Sequence, residues 1–198
     1  MADTILTLRE TEDLFRTLTF TVLGIDLDDE ETDNNDKVRL SWHTYGAPAW
    51  KITDDIVFLR VATVPDAYIQ QRESDYQDAD ITEEAINVVS AYTRVWSVQW
   101  VLYGPNSFDN AEKIKNAMYV QTIKETLAAK NMYLILNVPN VTRIPELYNG
   151  QWWKRADFSA TFNEQVTIRT KVPYITGTDI SLVTEDKGVI KINGNSTS

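Results

Sequence analysis

The sequence predicts an α+β fold: a largely antiparallel β-sheet of about five to seven strands, with two main helices packed on one face and a long β-arm. Strand-like alternation of apolar and polar residues occurs in about five or more segments, whereas helical periodicity occurs in only about two. The segments do not follow the regular strand–helix repeat that a parallel sheet requires. The 198 residues include six Trp and nine Tyr, and large aromatic residues favour sheets. We assign residues 1–198 to a single domain of this type.

The N-terminal third is expected to hold one helix and two strands. Residues 7–23 form the helix, because Thr7 and Glu10 have the spacing of a capping box and apolar residues recur at helical steps. Residues 38–42 alternate like a half-buried strand. Residues 56–64 are almost continuously apolar, which is typical of a strand that is covered on both faces.

The clearest strand lies in the middle of the chain, at residues 92–103. Its large side chains fall on one face, and they are Tyr92, Trp96, Val98, Trp100 and Leu102. A helix capped by Ser107 or Asp109 then runs to about Ala129. Its inward residues are Ala111, Ile114, Met118, Ile123 and Leu127. Residues 132–138 form a short buried strand.

A long alternating segment follows at residues 151–172. One face carries Trp152, Ala156, Phe158, Ala160, Phe162, Val166 and Ile168. About twenty residues at ~3.3 Å each would span about 65 Å, so the segment either bends near residues 163–164 or projects as an arm. Residues 176–198 are a C-terminal extension with weak strands at 180–183 and 189–192, and we expect its polar end to be frayed.

The acidic charge is concentrated in two stretches. The chain has 29 acidic and 19 basic residues, a formal charge of −10. Residues 26–36 contain seven acids, residues 73–84 contain six, and neither stretch contains a base. We interpret both as solvated loops on a nearly balanced body. A strongly acidic chain without clustered Lys and Arg is not expected to bind nucleic acid.

Catalytic, cofactor and metal sites are not predicted. The chain has no cysteine and one histidine, which excludes thiolate chemistry and multi-histidine metal sites. Asp26, Asp28 and Glu30 alternate as in a calcium loop but lack its central glycine. Asp54 and Asp55 are adjacent in an extended segment and point to opposite sides, so one of them more plausibly caps a turn. We therefore expect no enzyme activity, no cofactor and no metal.

Membrane insertion and secretion are not predicted either. The N-terminus has no basic region followed by an apolar stretch, and no run of 18 or more apolar residues occurs. We expect a soluble protein that is synthesised in a reducing cytoplasm.

Two parts of the chain have the residue order of a known family. These residues are Trp42, Pro48 to Ile52, Asp54 and Asp55 before Ile56 to Leu59, then Gln99 to Pro105, with Ala111 and Ile114 on the following helix. In this pattern, over roughly residues 10–172, the chain resembles the neck or tail terminator proteins of tailed bacteriophages.

The resemblance implies a structural role in the virion. Terminator proteins form a ring, commonly a hexamer, on the last ring of the tail tube, where they end tube polymerisation and provide a docking surface for the head-side connector. Genomic DNA passes through the channel of the ring. The family has no catalytic residues, and its location in the virion is the neck, at the top of the tail.

A ring requires one surface of each subunit to match a different surface of the next. We expect the strand at 92–103 and the alternating segment from Trp152 to Ile168 to supply much of this contact. The candidate interface residues are Tyr92, Trp96, Trp100, Trp152, Trp153, Phe158 and Phe162. Acidic residues lining the channel would repel DNA phosphates. The candidates are Asp26, Asp28, Asp29, Glu30 and Glu31.

Three other functions remain open at the level of sequence. The first is another ring-forming neck protein, such as a head–tail connector or a tail completion protein, which the sequence does not separate from a terminator because both are α+β modules. A carbohydrate- or receptor-binding module could use exposed tryptophans as stacking platforms. The tryptophans in question are Trp42, Trp50, Trp152 and Trp153. A hydrolase could use Asp54 or Asp55.

Overall fold

The computed structural model describes residues 4–26, 34–41, 50–80, 85–175, 177–183 and 189–195. Its helices are α1 (Leu8–Leu23), α2 (Ser107–Ala117) and α3 (Gln121–Ala128). Its strands are β1 (Val38–Leu40), β2 (Ile56–Thr63), β3 (Arg72–Asp80), β4 (Ala85–Tyr103), β5 (Met132–Leu134), β6 (Thr142–Arg143), β7 (Glu146–Tyr148), β8 (Gln151–Trp153), β9 (Arg155–Pro173), β10 (Gly177–Val183) and β11 (Val189–Asn195). The prediction of a mixed α+β fold is confirmed.

Seven strands form one large sheet. Its order is β1–β2–β4–β9–β5, with β3 paired to β4 and β6 paired to β9. The β2–β4, β5–β9 and β6–β9 pairs are antiparallel, whereas β1 and β2 are parallel. The sheet is therefore mostly antiparallel, as predicted. Strands β4 and β9 lie in its centre, with paired neighbours on both sides.

The hydrophobic core contains the inward faces of β4 and β9 and one face of α1. Phe15 of α1 lies 4.6 Å from Phe162 and 6.1 Å from Trp100, centroid to centroid. The rings of Trp100 and Phe158 stack at 4.8 Å and an interplanar angle of 3°. The predicted capping box at Thr7 and Glu10 is present at the start of α1, and Gly24 ends the helix in a left-handed conformation. Helix α1 contacts β1, β2 and α2, whereas α3 contacts β5.

The single helix predicted from residue 107 to about 129 is wrong. The chain forms two helices there, separated by a turn at residues 118–120, so the described residues form three helices rather than two. A straight helix advances about 100° per residue, which would place Met118 and Leu127 on opposite faces. Both side chains are fully buried in the structure. The turn redirects the chain so that each helix buries its own apolar face.

Two strand predictions also need correction. The second acidic stretch, residues 73–84, was expected to be a loop, but its larger part belongs to β3, which pairs with β4. The alternating segment is interrupted at Lys154, which separates β8 from β9. The inward alternation from Ala156 to Val166 holds, but Trp152 lies outside it and is exposed.

The chain divides into two compact units. The larger comprises Thr4–Gln71 and Tyr92–Val166. The smaller comprises the described parts of Arg72–Ala91 and Thr167–Ser198. The weak strands predicted at 180–183 and 189–192 lie within β10 and β11, which pair antiparallel. The assignment of a single domain stays a prediction, as do the long β-arm and the packing of helices on one face.

A buried carboxylate joins three segments of the larger unit. Glu164 lies on the inward face of β9, and its side chain is only 1% exposed. Its Oε2 accepts hydrogen bonds from Arg94 Nε at 2.8 Å and from Trp96 Nε1 at 2.6 Å, both on β4. Its Oε1 accepts one from the backbone N–H of Leu6 at 2.9 Å, and Arg94 Nη2 also donates to the Leu6 carbonyl. Each polar group of this cluster therefore has a charged or backbone partner.

A tight turn after β4 depends on a glycine. Gly104 has φ of +114°, and a Cβ added there would lie 2.5 Å from the Asp54 carbonyl oxygen and 2.8 Å from the Asp55 Cα. The Asp55 carboxylate accepts hydrogen bonds from the backbone and side-chain nitrogens of Asn106, at 3.0 and 2.8 Å. The prediction that one of the two aspartates caps the turn before β2 is confirmed for Asp54, whose Oδ2 accepts a hydrogen bond from the Lys51 backbone N–H at 2.9 Å.

We predict that Glu164→Ala lowers the free energy of unfolding by about 3 kcal/mol, since it leaves Arg94 and a buried indole N–H without their acceptor. The matched control is Asp13→Ala, which removes an exposed ion pair with Arg9 at 3.9 Å and should cost at most about 0.5 kcal/mol. Urea unfolding of both variants measures the difference. Equal losses would contradict the role given to Glu164.

We predict that Gly104→Ala destabilises the fold by about 3 kcal/mol, because the new Cβ meets backbone atoms and the positive φ is strained. Gly24→Ala is the control: Gly24 also has a positive φ, of 69°, but no atom lies within 4 Å of the added Cβ. That change should cost only about 1 kcal/mol. Thermal or urea unfolding compares them, and a smaller loss for Gly104→Ala would refute the steric argument.

Candidate assembly surface

A small hairpin is fixed to one end of the large sheet. Strands β7 and β8 pair antiparallel, with Leu147 opposite Trp152 and Tyr148 opposite Gln151. The connecting residues Asn149 and Gly150 both have positive φ, 48° and 74°. An Asn-Gly pair in this conformation is typical of a two-residue turn that matches the twist of the strands.

Aromatic packing fixes the inner face of the hairpin. Trp153 lies 6.1 Å from Trp50 and 6.3 Å from Tyr148, centroid to centroid, and Trp50 lies 5.8 Å from Tyr103 at the end of β4. The Arg39 guanidinium lies 5.4 Å from the Trp50 ring centroid. Since a two-stranded hairpin is at best marginally stable alone, these contacts explain why it is ordered.

Charged groups reinforce the same attachment. Tyr103 donates its hydroxyl proton to Glu146 Oε2 at 2.6 Å, and Arg155 Nη1 lies 3.3 Å from the same oxygen. Arg155 also makes a bidentate contact with Asp157, at 2.8 and 2.6 Å. Burial and the Glu146 carboxylate raise the pKa of Tyr103 to about 12. The hydrogen bond from Tyr103 lowers the pKa of Glu146, and the bonds to Asp157 raise the pKa of Arg155.

The outer face of the hairpin, defined by Leu147 and Trp152, is uncovered. Leu147 is 57% exposed and Trp152 is 64% exposed. The two residues are cross-strand partners, so their side chains share one face. Within the residues described here, this face presents a large aliphatic and a large aromatic side chain to solvent, on an element whose opposite face is fixed.

A second apolar surface lies between α3 and β5, and we call it the α3–β5 groove. Its cavity has a volume of about 310 Å³. Leu127 and Met132 are fully buried at the groove, whereas Tyr133 and Leu136 are 48% and 70% exposed. Lys124 and Glu125 also line it. The groove is therefore apolar in its centre and charged at its border.

Most candidate interface residues are buried in the core, whereas they were expected at the surface of the subunit. Trp96, Trp100, Phe158 and Phe162 are core residues, none more than 4% exposed, so they cannot contact a neighbour from these positions. Tyr92 and Trp153 are half-buried, and Trp152 is exposed. Strands β4 and β9 were also expected to supply this contact. Where each is hydrogen-bonded to a described strand on both sides, it has no free backbone edge for another subunit.

The sequence interpretation missed Leu147, Tyr133 and Leu136. Asn149-Gly150 between apolar residues is a hairpin signal and could have located Leu147. No sequence signal distinguishes the exposed Leu136 from a buried leucine.

The remaining candidate residues are either exposed or outside the described residues. Asp26 is exposed, whereas Asp28, Asp29, Glu30 and Glu31 lie outside the described residues, as do Trp42 and His43. Among the residues that the structure describes, no group of three His, Cys, Asp or Glu side chains could hold a metal ion. No described helix is long and apolar enough to cross a membrane.

The family model of phage neck terminator proteins matches residues 9–188, which is most of the chain. The chain belongs to this family. No curated protein matches it in sequence. The predicted family is therefore confirmed, and the match extends further towards both termini than the resemblance seen in the sequence.

Family membership gives this neck terminator a structural role in a bacteriophage virion. The family is not enzymatic, which agrees with the structural contacts found for Asp54 and Asp55. Membership also implies association with other proteins of the phage head or tail.

We predict that one tyrosine, Tyr103, titrates near pH 12 rather than near the ordinary tyrosine pKa of about 10. Since the folded-state pKa is raised, the stability contributed by the neutral phenol is present below pH 10 and is lost as the pH rises towards 12. Glu146→Gln should lower this pKa without restoring the ordinary value, because burial remains. The pKa of Tyr103 is measured from tyrosinate absorbance as a function of pH. The absorbance of the same protein carrying Tyr103→Phe is subtracted in each case.

The control for this titration is Glu125→Gln, a carboxylate outside the Tyr103 network. It should leave the titration unchanged. A difference spectrum that titrates at the ordinary tyrosine pKa in the unmodified chain would contradict the hydrogen-bond geometry.

Proposed function

We propose that this chain is a tail terminator. It closes into a ring of six subunits on the last ring of the tail tube. The ring ends polymerisation of the tube and joins the tail to the head-side connector. Genomic DNA passes through its channel as a transient passenger. The observation that carries the proposal is the match of the neck terminator family model to residues 9–188.

The location of the exposed apolar residues supports a role in assembly. Large contiguous apolar surfaces on a soluble protein usually mark contacts with other proteins. Here the outer face of the hairpin and the α3–β5 groove are both such surfaces, and both belong to the larger unit. We therefore place the contacts between subunits at these surfaces and no longer at the buried aromatic residues of β4 and β9.

The acidic residues are proposed to line the channel. Asp26, Asp28, Asp29, Glu30 and Glu31 would form a negative ring when repeated around the axis. Phosphates repelled by this charge would not adhere to the wall, so DNA could slide. An electrostatic map of the assembled ring with a neutral or basic lumen would eliminate this part of the proposal.

Another position in the neck is the alternative within the same family of functions. A head–tail connector or tail completion protein would also form a ring and would also expose apolar contact surfaces. It would bind the head-side proteins without ending growth of the tube. Binding to the end of the tube is therefore the property that distinguishes the two.

The test combines mass measurement with tube assembly. Light scattering or native mass spectrometry at micromolar concentration should give six copies of the 22.7-kDa chain, alone or after addition of the tube. Added to polymerising tail tube protein from the same phage, the chain should shorten the tubes and add density at one end in electron micrographs. An acidic protein of similar size is the control. Tubes of unchanged length with bare ends would refute the terminator role.

A further inference from the structure

We infer that a pocket beside the N-terminus of α2, which we call the α2 pocket, binds a phosphate group. Its cavity has a volume of about 310 Å³. Its lining includes residues 107–109 of α2, Arg143 of β6, Lys154, which precedes β9, and Arg155, the first residue of β9. The inference concerns the single subunit in solution, so it does not rest on the proposed ring.

Backbone hydrogen bonds hold the walls of the α2 pocket together. The Gly104 N–H donates to the Lys154 carbonyl at 3.2 Å, which joins the turn before α2 to the start of β9. The Ile144 N–H donates to the Arg155 carbonyl at 3.0 Å, and β6 pairs with β9. Residues 104–107 contain no lysine or arginine. The fold therefore brings basic residues to this turn from distant parts of the sequence.

The N-terminus of α2 has hydrogen-bond donors that the chain does not use. The N-cap residue, Asn106, does not cap the helix with its side chain, which instead donates to Asp55 Oδ2 at 2.8 Å. The backbone N–H groups of Phe108 and Asp109 have no acceptor among the residues that the structure describes. Unused N–H groups and the helix dipole together favour an anion at such an end.

A buried hydroxyl at the same place also lacks a partner. Ser107 lines the α2 pocket and is only 4% exposed. Its Oγ makes no hydrogen bond within the described part of the chain, and the oxygen is not fully enclosed, so it is open to the pocket. Because buried hydroxyl groups in proteins are normally hydrogen-bonded, this one indicates a missing ligand. This observation is independent of the helix N-terminus and indicates the same ligand position.

The charges around the α2 pocket favour an anion. Arg143 and Lys154 are exposed, and neither makes an ion pair with another described residue. Arg155, by contrast, is already paired with two carboxylates. One carboxylate, that of Asp109, also lines the pocket and opposes an anion. In a chain with a net charge of −10, two unpaired basic side chains beside one acid form a local positive site.

A phosphate group fits these donors better than a carboxylate does. The α2 pocket offers two backbone N–H groups, a hydroxyl, a guanidinium and an ammonium group. A phosphate group has at least three strong acceptor oxygens, whereas a carboxylate has only two. The planar guanidinium of Arg143 also matches two phosphate oxygens at once. Free phosphate and the DNA backbone present the same group, and the experiments distinguish these two sources.

The first experiment titrates the full chain with inorganic phosphate by isothermal titration calorimetry, with sodium chloride at matched ionic strength as the reference. Arg143→Gln and Lys154→Gln should each weaken binding by about tenfold, because each removes a charge-assisted hydrogen bond. Asp109→Asn should strengthen binding by about threefold, because it removes a repelling charge. The control is Lys124→Gln, at an exposed position of α3 that does not line the α2 pocket, and it should leave binding unchanged.

The second experiment uses Ser107→Ala to separate binding from folding. Since the hydroxyl has no partner in the described part of the subunit, its removal should leave the urea midpoint of unfolding unchanged. It should nevertheless weaken phosphate binding by about threefold, because one hydrogen bond to the ligand is lost. A lower midpoint together with unchanged phosphate binding would contradict the role given to Ser107.

A third titration uses a short duplex DNA at low salt. If Arg143→Gln and Lys154→Gln weaken DNA binding as they weaken phosphate binding, the DNA backbone is a source of the phosphate group. If only inorganic phosphate binds, the ligand is a free anion. Both results support the inference, because the recognised group is the same.

Three outcomes overturn the inference: no binding of inorganic phosphate, equal weakening by Lys124→Gln, or a polyglutamate peptide that needs Arg143 and Lys154 while phosphate does not compete with it. None of these outcomes affects the proposed function, which depends on ring formation and on capping of the tail tube. Conversely, a chain that binds phosphate as expected but forms no ring refutes the terminator role and leaves the α2 pocket in place.

Discussion

The buried carboxylate of Glu164 is the constraint on which the arrangement of the larger unit depends. A buried carboxylate must be paired and hydrogen-bonded, and here its partners come from two other segments of the chain. Arg94 and Trp96 bring in β4, and the backbone of Leu6 brings in the segment before α1. Because β4 and β9 are the central strands, the cluster fixes the position of these two strands relative to each other and to the segment before α1. Apolar packing alone would tolerate small shifts between these elements, whereas directed hydrogen bonds to both oxygens of one buried carboxylate do not.

The hairpin shows the same combination of apolar packing and directed polar contacts. The tryptophans supply buried area, while Tyr103, Glu146 and Arg155 determine the position of β7 relative to β4 and β9. The result is an element with one fixed face and one free face. A protein whose role is assembly benefits from this arrangement, because a rigid exposed surface loses little entropy on binding.

Local signals in the sequence predicted the elements that carry their own stabilising contacts. The capping box at Thr7 and the alternation from Trp96 to Leu102 gave α1 and the buried face of β4 correctly. The break at residues 118–120 could not be predicted in the same way, since it results from the burial of both Met118 and Leu127 against the rest of the fold. Strand β3 was missed because its residues are polar and acidic, and it is ordered by pairing with β4.

The candidate site was predicted less well, for a physical reason. Alternation shows that one face of a strand is apolar, but it does not show whether the same chain or a neighbour covers that face. The aromatic residues of β4 and β9 are covered by their own subunit. Glu164, a charged residue at an inward position between Phe162 and Val166, would by itself have indicated that this face reaches solvent, whereas the structure buries it against Arg94 and Trp96.

The acidic strand β3 has a consequence for the behaviour of the free subunit. Among the described strands it pairs with β4 alone, so its other edge has backbone groups available to a further strand. Glu73 and Asp75 are exposed along it, and residues 78 and 80 continue the run of aspartates. Two such edges repel each other, which opposes uncontrolled sheet extension between copies.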